Sequence, residues 1–474
     1  MNLAAALSGR AGLEGVRWLL TGAPHRALRR ELGALLSSPD RLGSCRLRSA
    51  RLKPGRWFAA FYDVDMRGEG ADKRRTRPIA VSWKLNGLGD RRRSVECGET
   101  EAEAVRRGVA APFRKLVADV PRWGMHAEVS PFDVRYPQLV RLSDRQYARD
   151  TIAAAYAARD GAGEYARATD YSTTAIRYRP GKRHVLRYDS ADPSTRRVLF
   201  AKLYTGDDGL RVSRLATQIG EWLAERGVGA PSVRPPAYVA EDKVVFWPQA
   251  AGSPISELLR DSGQILADCV KRAGAALYAL HQLPPAAAVS LELHDFAAEV
   301  TGIAKASDHV AALLPPAGVA ITSLLERAQE FHQRLPLEPA TFTFGEFKAE
   351  HVWVTPDGLT LIDFDGCCLG DPALDIGKFL ADLRLWDDVY GHGELKQVQE
   401  QFLAGYRGGA LADRLARARL YEAIELVKKT VRHVRTFEHG WAGRAERLIG
   451  CAQSVLGDVQ AKVGLGQDRR EALV

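Results

Sequence analysis

The 474-residue chain is 46% hydrophobic and 26% charged, the proportions of a folded globular protein, and it is too long for one ordinary core, so two or three folding units are expected. A formal net charge of +9 and a pI near 9.2 admit nucleic acid, a membrane surface or a small polyanion such as a nucleotide as partners, and charge alone does not choose among them. No run approaches the roughly 18–20 apolar residues of a membrane span, and the start MNLAAALSGRAGLEGVRWLL lacks a signal-peptide arrangement, so a cytoplasmic protein with no membrane partner is expected. Cys45, Cys97, Cys269, Cys367, Cys368 and Cys451 show no C-x-x-C or zinc-ligand spacing and read as reduced thiols.

In chain order, the densest basic runs fall at 28–30, 73–77 and 91–93. They lack interleaved aromatics, the pattern of a solvated basic face rather than of a nucleic-acid stacking surface. Two segments then read alike at a constant offset of 126 (178 minus 52): LKPGRWFAAFYD at 52–63 and YRPGKRHVLRYD at 178–189. Each is followed by a polar loop and an apolar strand ending in lysine, Lys84 in RPIAVSWKL and Lys202 in RRVLFAKLY. Pro-Gly marks a turn and alternation marks the strands, so both predict antiparallel hairpins and a duplicated unit. Residues 101–120 and 144–158 predict amphipathic helices joined by the extended bridge SPFDVRYPQL.

Past Lys202, a helix is expected from Arg214 to Arg226, closed by Gly227. The strand pair PAYVAED and KVVFWPQ follows, ending at Gln249 and Ala250. Beyond Pro254 the periodicity predicts a long helix through SELLRDSGQILADCVKRAGAALYALHQL, with further helix over 290–334 and 394–462. One β-island at 341–366 interrupts them. Strands first and helices afterwards describe a two-lobed α+β protein, divided as 1–150 (an extension), 151–252 and 253–474.

The island carries the chemistry. Val352–Val354 and Leu359–Ile362 are short β runs joined by TPDG, so a tight hairpin holds FGEFKAEH (344–351) at one end and Asp363 at the other. Crossing and returning gathers Glu346, His351 and Asp363, and carboxylates so gathered need a cation or a proton to coexist.

This run resembles the catalytic and metal loops of the aminoglycoside phosphotransferase and choline kinase-like family, whose pattern is H-G-D-x-x-x-x-N, a hairpin, I-D-x-x-x and G-D-P-x-x-D. Its counterparts here are Phe344-Gly345-Glu346, His351, Asp363, and Gly370-Asp371-Pro372 with Asp375, while Leu280-His281-Gln282-Leu283-Pro284 is similar to the family's L-H-x-x-P. The resemblance spans roughly 170–460. It implies a protein-kinase-like fold, with a β-rich lobe and a helical lobe, preceded by an extension holding an N-lobe-like hairpin.

It also implies roles. Lys202, with Gly181 and with Gln249 and Ala250, would contact ATP. Asp363 and His351 would hold Mg²⁺, Glu346 would face the acceptor hydroxyl, Lys348 would face the γ-phosphate, and Asp371 and Asp375 would brace the loop.

The chain departs from the pattern at three places. Phenylalanine stands for histidine at 344, glutamate for aspartate at 346, and histidine for asparagine at 351, where an imidazole is a poor partner for Mg²⁺. The helical position that supplies a lysine-pairing glutamate in the family is Ala216 here, with Glu221 about 1.4 turns along. Two functions follow from the resemblance: an ATP-dependent kinase acting on a hydroxyl of a small metabolite or of a peptide serine or threonine, and a degenerate kinase fold that binds nucleotide or a partner protein without transfer. The basic stretch KKTVRHVR (428–435) is expected to repel a polycationic acceptor.

Overall fold

In the computed structural model the two Pro-Gly turns adopt one conformation. Gly55 (φ +70°) and Gly181 (φ +69°) take the left-handed region that a side chain resists, and each reverses the chain into an antiparallel hairpin. The structure describes residues 1–37, 41–67, 74–85, 95–160, 165, 169–192, 197–229, 236–260, 263–284, 291–391, 393–406, 412–435 and 437–471. The basic run at 91–93 lies outside the described residues.

The first hairpin, β1 (Arg41–Lys53) and β2 (Trp57–Arg67), continues into β3 (Arg74–Lys84), α4 (Val95–Arg106), β4 (Val117–Val120) and β5 (Met125–Val129). It is preceded by α1 (Leu3–Ser8), α2 (Gly12–Thr21) and α3 (Ala23–Leu35), three helices the sequence reading left unassigned. After α5 (Gln138–Ser143) and α6 (Arg145–Asp160), the second hairpin, β6 (Tyr171–Arg179) and β7 (Arg183–Ser190), continues into β8 (Val198–Leu203), α7 (Asp208–Glu225), β9 (Ala237–Val239) and β10 (Val244–Pro248). The strand orders are β1-β2-β3-β5-β4 and β6-β7-β8-β10-β9. The repeat therefore extends beyond the hairpin to a whole five-stranded sheet with its helix between the third and fourth strands.

Register corrects one detail of the repeat. Counting from the closing pairs Lys53↔Trp57 and Arg179↔Arg183, the third residue is Ala59 in one sheet and Val185 in the other; Ala59 faces Ser82, and Val185 faces Lys202. The last strand agrees, since His126 pairs with Ser82 and Val245 with Lys202. Ser82, not Lys84, occupies the place of Lys202.

The face that bears Ser82 is partly covered. Directly opposed residues share a face, so Trp57, Ala59 and Phe61 of β2 lie with Lys84, Ser82 and Ala80 of β3. Ala80 and Phe61 belong to the core built from Tyr171, Tyr178, Leu186 and Tyr188 of the second sheet, and Lys182 and Arg179 lie over the Trp57 and Phe61 rings at 5.5 and 5.9 Å.

The chain forms two compact units: Met1–Ser213 with Pro235–Gln249 and Arg435–Phe437, and Arg214–Arg234 with Ala250–Val434 and Glu438–Val474. The boundary expected at 150 thus falls between two sheets of one unit, and that at 252 falls beside the Gln249/Ala250 division.

The second unit contains β11 (Ser253–Pro254), α8 (Ile255–Leu258), α9 (Gln264–His281), β12 (Leu293–His294), α10 (Phe296–Leu313), α11 (Pro315–Arg334), β13 (Thr341–Thr343), β14 (Val352–Thr355), β15 (Gly358–Leu361), β16 (Cys368–Gly370), α12 (Ala373–Tyr390), α13 (Leu395–Gly405), α14 (Ala412–His433) and α15 (Trp441–Glu471). Among the described residues no helix is long and apolar enough to cross a membrane.

Three helix expectations change. The helix placed over 101–120 ends at Arg106, because Gly108 turns at φ +68° and Pro112 cannot continue it, while Val117–Val120 alternates and pairs with β5. The single helix after Pro254 splits into α8 and α9 at Gly263, whose φ is +127°. The helix expected from Arg214 starts six residues earlier, at Asp208. Nor are the basic residues of the first hundred all solvated: Arg77 is half-buried and donates to the Val109 and Ala111 carbonyls at 2.8 and 2.6 Å.

Candidate active site

Hairpin register brings the two ends of the island together. β14 and β15 pair from Thr355↔Gly358 back to Val352↔Leu361, and the ladder continues with the Ile362 amide donating to the His351 carbonyl at 3.0 Å. His351 therefore stands beside Asp363. The imidazole Nδ1 is 2.9 Å from the Glu346 carbonyl and Nε2 is 3.6 Å from Asp363 Oδ2, so Glu346, His351 and Asp363 are neighbours, as expected. Asp363 sits at φ +66°, one of two described non-glycine residues in the left-handed region. Such a conformation costs a side chain about 1–2 kcal/mol and persists where the surroundings impose it.

Gly345 (φ +74°) crosses Gly366 so closely that a Cβ on Gly345 would lie 2.0 Å from the Gly366 carbonyl oxygen. This contact seats Asp365, which the sequence reading passed over, in the turn beside Glu346.

The loop is pinned from below by α12. Asp375, fully buried, accepts from the Phe344 and Gly345 amides at 2.6 and 2.7 Å. Lys378 donates to the Gly345 carbonyl at 2.5 Å, and Asp382 accepts from the Ala349 amide at 2.8 Å. These are positions i, i+3 and i+7 of one helix, a single face. Sequence reasoning found Asp375 and missed Lys378 and Asp382, although three ionisable residues at helical spacing in an otherwise apolar stretch were a visible signal. His281 stands behind, 3.3 Å from Asp375 and 2.6 Å from the Tyr406 hydroxyl. Asp371 caps α12 through the Ala373 amide at 3.0 Å and is held by buried Arg417 at 2.7 Å. Asp375 thus binds the loop backbone directly, whereas Asp371 binds the start of α12 and Arg417.

Phe344 is accounted for by packing. Its ring meets Phe364 at 5.4 Å and Phe347 at 5.9 Å, and Phe347 meets Phe379 at 5.4 Å, so the position that is histidine in the family pattern joins an apolar cluster here.

Charge beneath the loop is dense. Lys378 and Lys428 lie among Glu299 and Glu425, with Lys428 at 2.5 Å from Glu299 and 3.1 Å from Glu425, and Lys378 at 3.5 Å from Glu425. Burial works against the Glu346 carboxylate, but Lys378, Lys428 and Lys348 outweigh it and bring its pKa down to about 2. Burial and the neighbouring Lys348 lower His351 to about 4 against the pull of Asp363 and Glu346. The site at neutral pH therefore holds an ionised Glu346 and a neutral His351.

Lys348 pairs with Glu350 at 3.0 Å, which helps hold its ammonium charged despite burial. Lys428 and Lys429, read from sequence as part of a repelling basic surface, are instead buried in ion pairs, Lys429 with Asp382 at 2.5 Å. The charge argument against a polycationic acceptor loses those two lysines.

In the other unit, Lys202 is buried in β8 between Val185 and Val245. On α7, Ala216 is buried and Glu221 exposed. The Gly181 amide donates to Asp133 Oδ2 at 2.6 Å, and its carbonyl accepts from Arg135 at 3.1 Å. Asp133 also holds His184 at 2.7 Å. The Gly181 amide and carbonyl are thus both bonded to the SPFDVRYPQL bridge. Exposed Gln249 donates its amide to the Val198 carbonyl at 3.1 Å, and Ala250 follows it half-buried.

The donor set at Asp363 and His351, one carboxylate and one imidazole, fits a divalent cation that takes mixed oxygen and nitrogen ligands.

The sequence profile of the Phosphotransferase enzyme family matches residues 191–421. No curated protein matches the chain. Among solved structures, similarity extends to the GDP complex of wild-type aminoglycoside 2'-phosphotransferase-IIIa, at 13% identity over 60% of this chain and 92% of that one, TM-score 0.43. A choline/ethanolamine kinase family protein from Mesorhizobium loti is similar at 15% identity over 67% of this chain and 99% of that one, TM-score 0.43. The amicoumacin kinase hAmiN in complex with AMP-PNP, Ca²⁺ and Ami is similar at 14% identity over 60% and 88%, TM-score 0.41. The match to the phosphotransferase enzyme family covers residues 191–421, from β8 into α14, and takes in the loops described above.

Proposed function

We propose that the chain is an ATP-dependent phosphotransferase that moves the γ-phosphoryl group to a hydroxyl of a small metabolite. The observation that carries this reading is the gathering of Glu346, His351 and Asp363 on a loop whose backbone is fixed by Asp375, Lys378 and Asp382 above buried lysines. A structure without electrostatic demand at that loop has no reason to bury so many ions beneath it.

In the transfer, a bond forms between the acceptor oxygen and Pγ, and the bond from Pγ to the β–γ bridging oxygen breaks. ADP leaves with that electron pair, and the acceptor proton passes to Glu346 and on to water. With a pKa near 2, Glu346 is a weak base, suited to orienting the hydroxyl and taking its proton late. Lys202 is assigned the α and β phosphates and Lys348 the transferring group. A divalent ion held by Asp363 and His351 would offset phosphate charge when bound.

Thermal unfolding with Mg-ATP at about 100 times its dissociation constant should show about 2.7 kcal/mol of added stability. ATP turnover is then measured across sugars, amino alcohols and serine- or threonine-containing peptides, with Asp363→Asn and Glu346→Gln as controls. Turnover unchanged in both variants would sink the assignment. Stabilisation by nucleotide with no turnover on any acceptor would favour the degenerate binder.

A further inference from the structure

The ion-binding pair has an orientation that bears on which metal it takes. A carbonyl oxygen only accepts hydrogen bonds, so the 2.9 Å contact between His351 Nδ1 and the Glu346 carbonyl puts the ring proton on Nδ1. The other nitrogen, Nε2, is aimed at Asp363 Oδ2 across 3.6 Å. In the neutral ring with its proton on Nδ1, Nε2 presents its lone pair toward that carboxylate.

Metal-ligating histidines are held in this manner, with the far ring N–H given to a backbone carbonyl and the near nitrogen presented to the ion beside a carboxylate. Adjacent donors on a six-coordinate ion with bonds of about 2.1 Å lie about 3.0 Å apart. The present separation requires only a small closure. Asp363 is held in the left-handed conformation beside this ring.

We infer that His351 is a direct ligand and that it turns this site toward Mn²⁺ or a similar first-row transition ion in preference to Mg²⁺. The inference rests on the phosphotransferase reading above. Mg²⁺ favours hard oxygen donors and gains little from imidazole, whereas Mn²⁺ accepts nitrogen while keeping the six-coordinate, oxygen-rich environment that nucleotide phosphates offer. An amide oxygen at 351, the family's usual residue, would restore Mg²⁺.

The test uses the full chain with Mn²⁺ and a non-hydrolysable ATP analogue. Electron spin-echo envelope modulation of the bound Mn²⁺ should show nitrogen coupling from a directly bonded imidazole, lost in His351→Asn. Competition, followed by the free Mn²⁺ electron paramagnetic resonance signal, should require at least a tenfold excess of Mg²⁺ to displace half the Mn²⁺ from the wild type. In His351→Asn that excess should fall by tenfold or more. Absence of nitrogen coupling in the wild-type complex overturns the inference, even if the variant does not fold. So does an unchanged Mn²⁺/Mg²⁺ ratio in a folded His351→Asn protein. Either result leaves the phosphotransferase reading standing if Mg-ATP still stabilises the protein, whereas failure to bind the analogue with either ion removes both.

Discussion

Replacing Asp375 by asparagine changes one atom's chemistry and almost no volume, which makes it a clean probe of how Glu346 is held. The carboxylate accepts from two consecutive amides, Phe344 at 2.6 Å and Gly345 at 2.7 Å, and it is fully buried. Asparagine offers one acceptor oxygen, so its NH₂ must face one of those N–H groups. A hydrogen bond to a charged acceptor contributes about 1.5–3 kcal/mol, and a buried donor left unsatisfied costs about 1–3 kcal/mol, so a net loss of about 3 kcal/mol is expected. For a cooperative unit of roughly 150–250 residues, that lowers Tm by roughly 6–12 °C. Glu346 follows Gly345 directly, and a displacement of about 1 Å at a reacting group costs on the order of a hundredfold in rate. Turnover of the best acceptor found should therefore drop about a hundredfold, with the KM for nucleotide unchanged because Asp375 lies beneath the loop. Differential scanning fluorimetry and steady-state kinetics read the two effects separately. A variant that melts as expected yet keeps kcat within threefold of wild type would refute the positioning argument, and an unchanged Tm would refute the hydrogen-bond argument itself.

Two other expectations concern charge. Glu346 has its pKa depressed, so the stability and activity that depend on its ionisation are fully present above the ordinary carboxylate range and are lost as pH falls toward 2. Lys378→Met removes the largest of the cationic influences while Lys428 and Lys348 stay in place, so the acid limb of kcat should move upward, while Lys378→Arg keeps it low; coincident profiles for the two variants would show that Lys378 does not set the Glu346 charge. In the duplicated sheets, Lys202→Met should abolish stabilisation by Mg-ATP and Lys84→Met should leave it intact, because Lys84 lies two residues from the register position of Lys202; a loss with Lys84→Met would place nucleotide on the first sheet.

The fold was legible wherever a local rule acts alone. Pro-Gly turns with alternating strands gave both hairpins, and the loop-hairpin-loop spacing gave the meeting of Glu346, His351 and Asp363. The register of Ser82 with Lys202 was not legible, since spacing from the turn through a variable connection does not fix which residue of the third strand faces which. Similarly, VADV at 117–120 reads as helix by periodicity but pairs as a strand, because its partner β5 lies after an intervening turn. Buried ion pairs were the hardest to see. Lys428 and Lys429 look like surface charge in sequence, and only the carboxylates of Glu299 and Asp382 on other helices, with Glu425 one turn back on the same helix, convert them to interior groups. The commitment of the Gly181 amide to Asp133 has the same origin, a partner 48 residues away.

The side chain at 346 and the glycine at 366 are tied together. A Cβ built on Gly366 would lie 2.8 Å from Glu346 Cγ, closer than real Cβ contacts come, so the side chain at 346 occupies space that any side chain at 366 would need. Gly366 does not have the left-handed backbone that would by itself demand glycine, so the restriction is steric. Gly366→Ala in the wild type should therefore behave as an overpacked core change, costing about 1–3 kcal/mol and displacing the carboxylate. Aspartate at 346 would keep a carbon at the γ position, so only truncation to Cβ removes the atom in conflict. In the double variant Gly366→Ala with Glu346→Ala, the two changes should couple favourably by about 0.5–3 kcal/mol in a double-mutant cycle of unfolding free energies. Additive effects would mean that Glu346 does not lie along Gly366, and the steric account of this glycine would have to be abandoned.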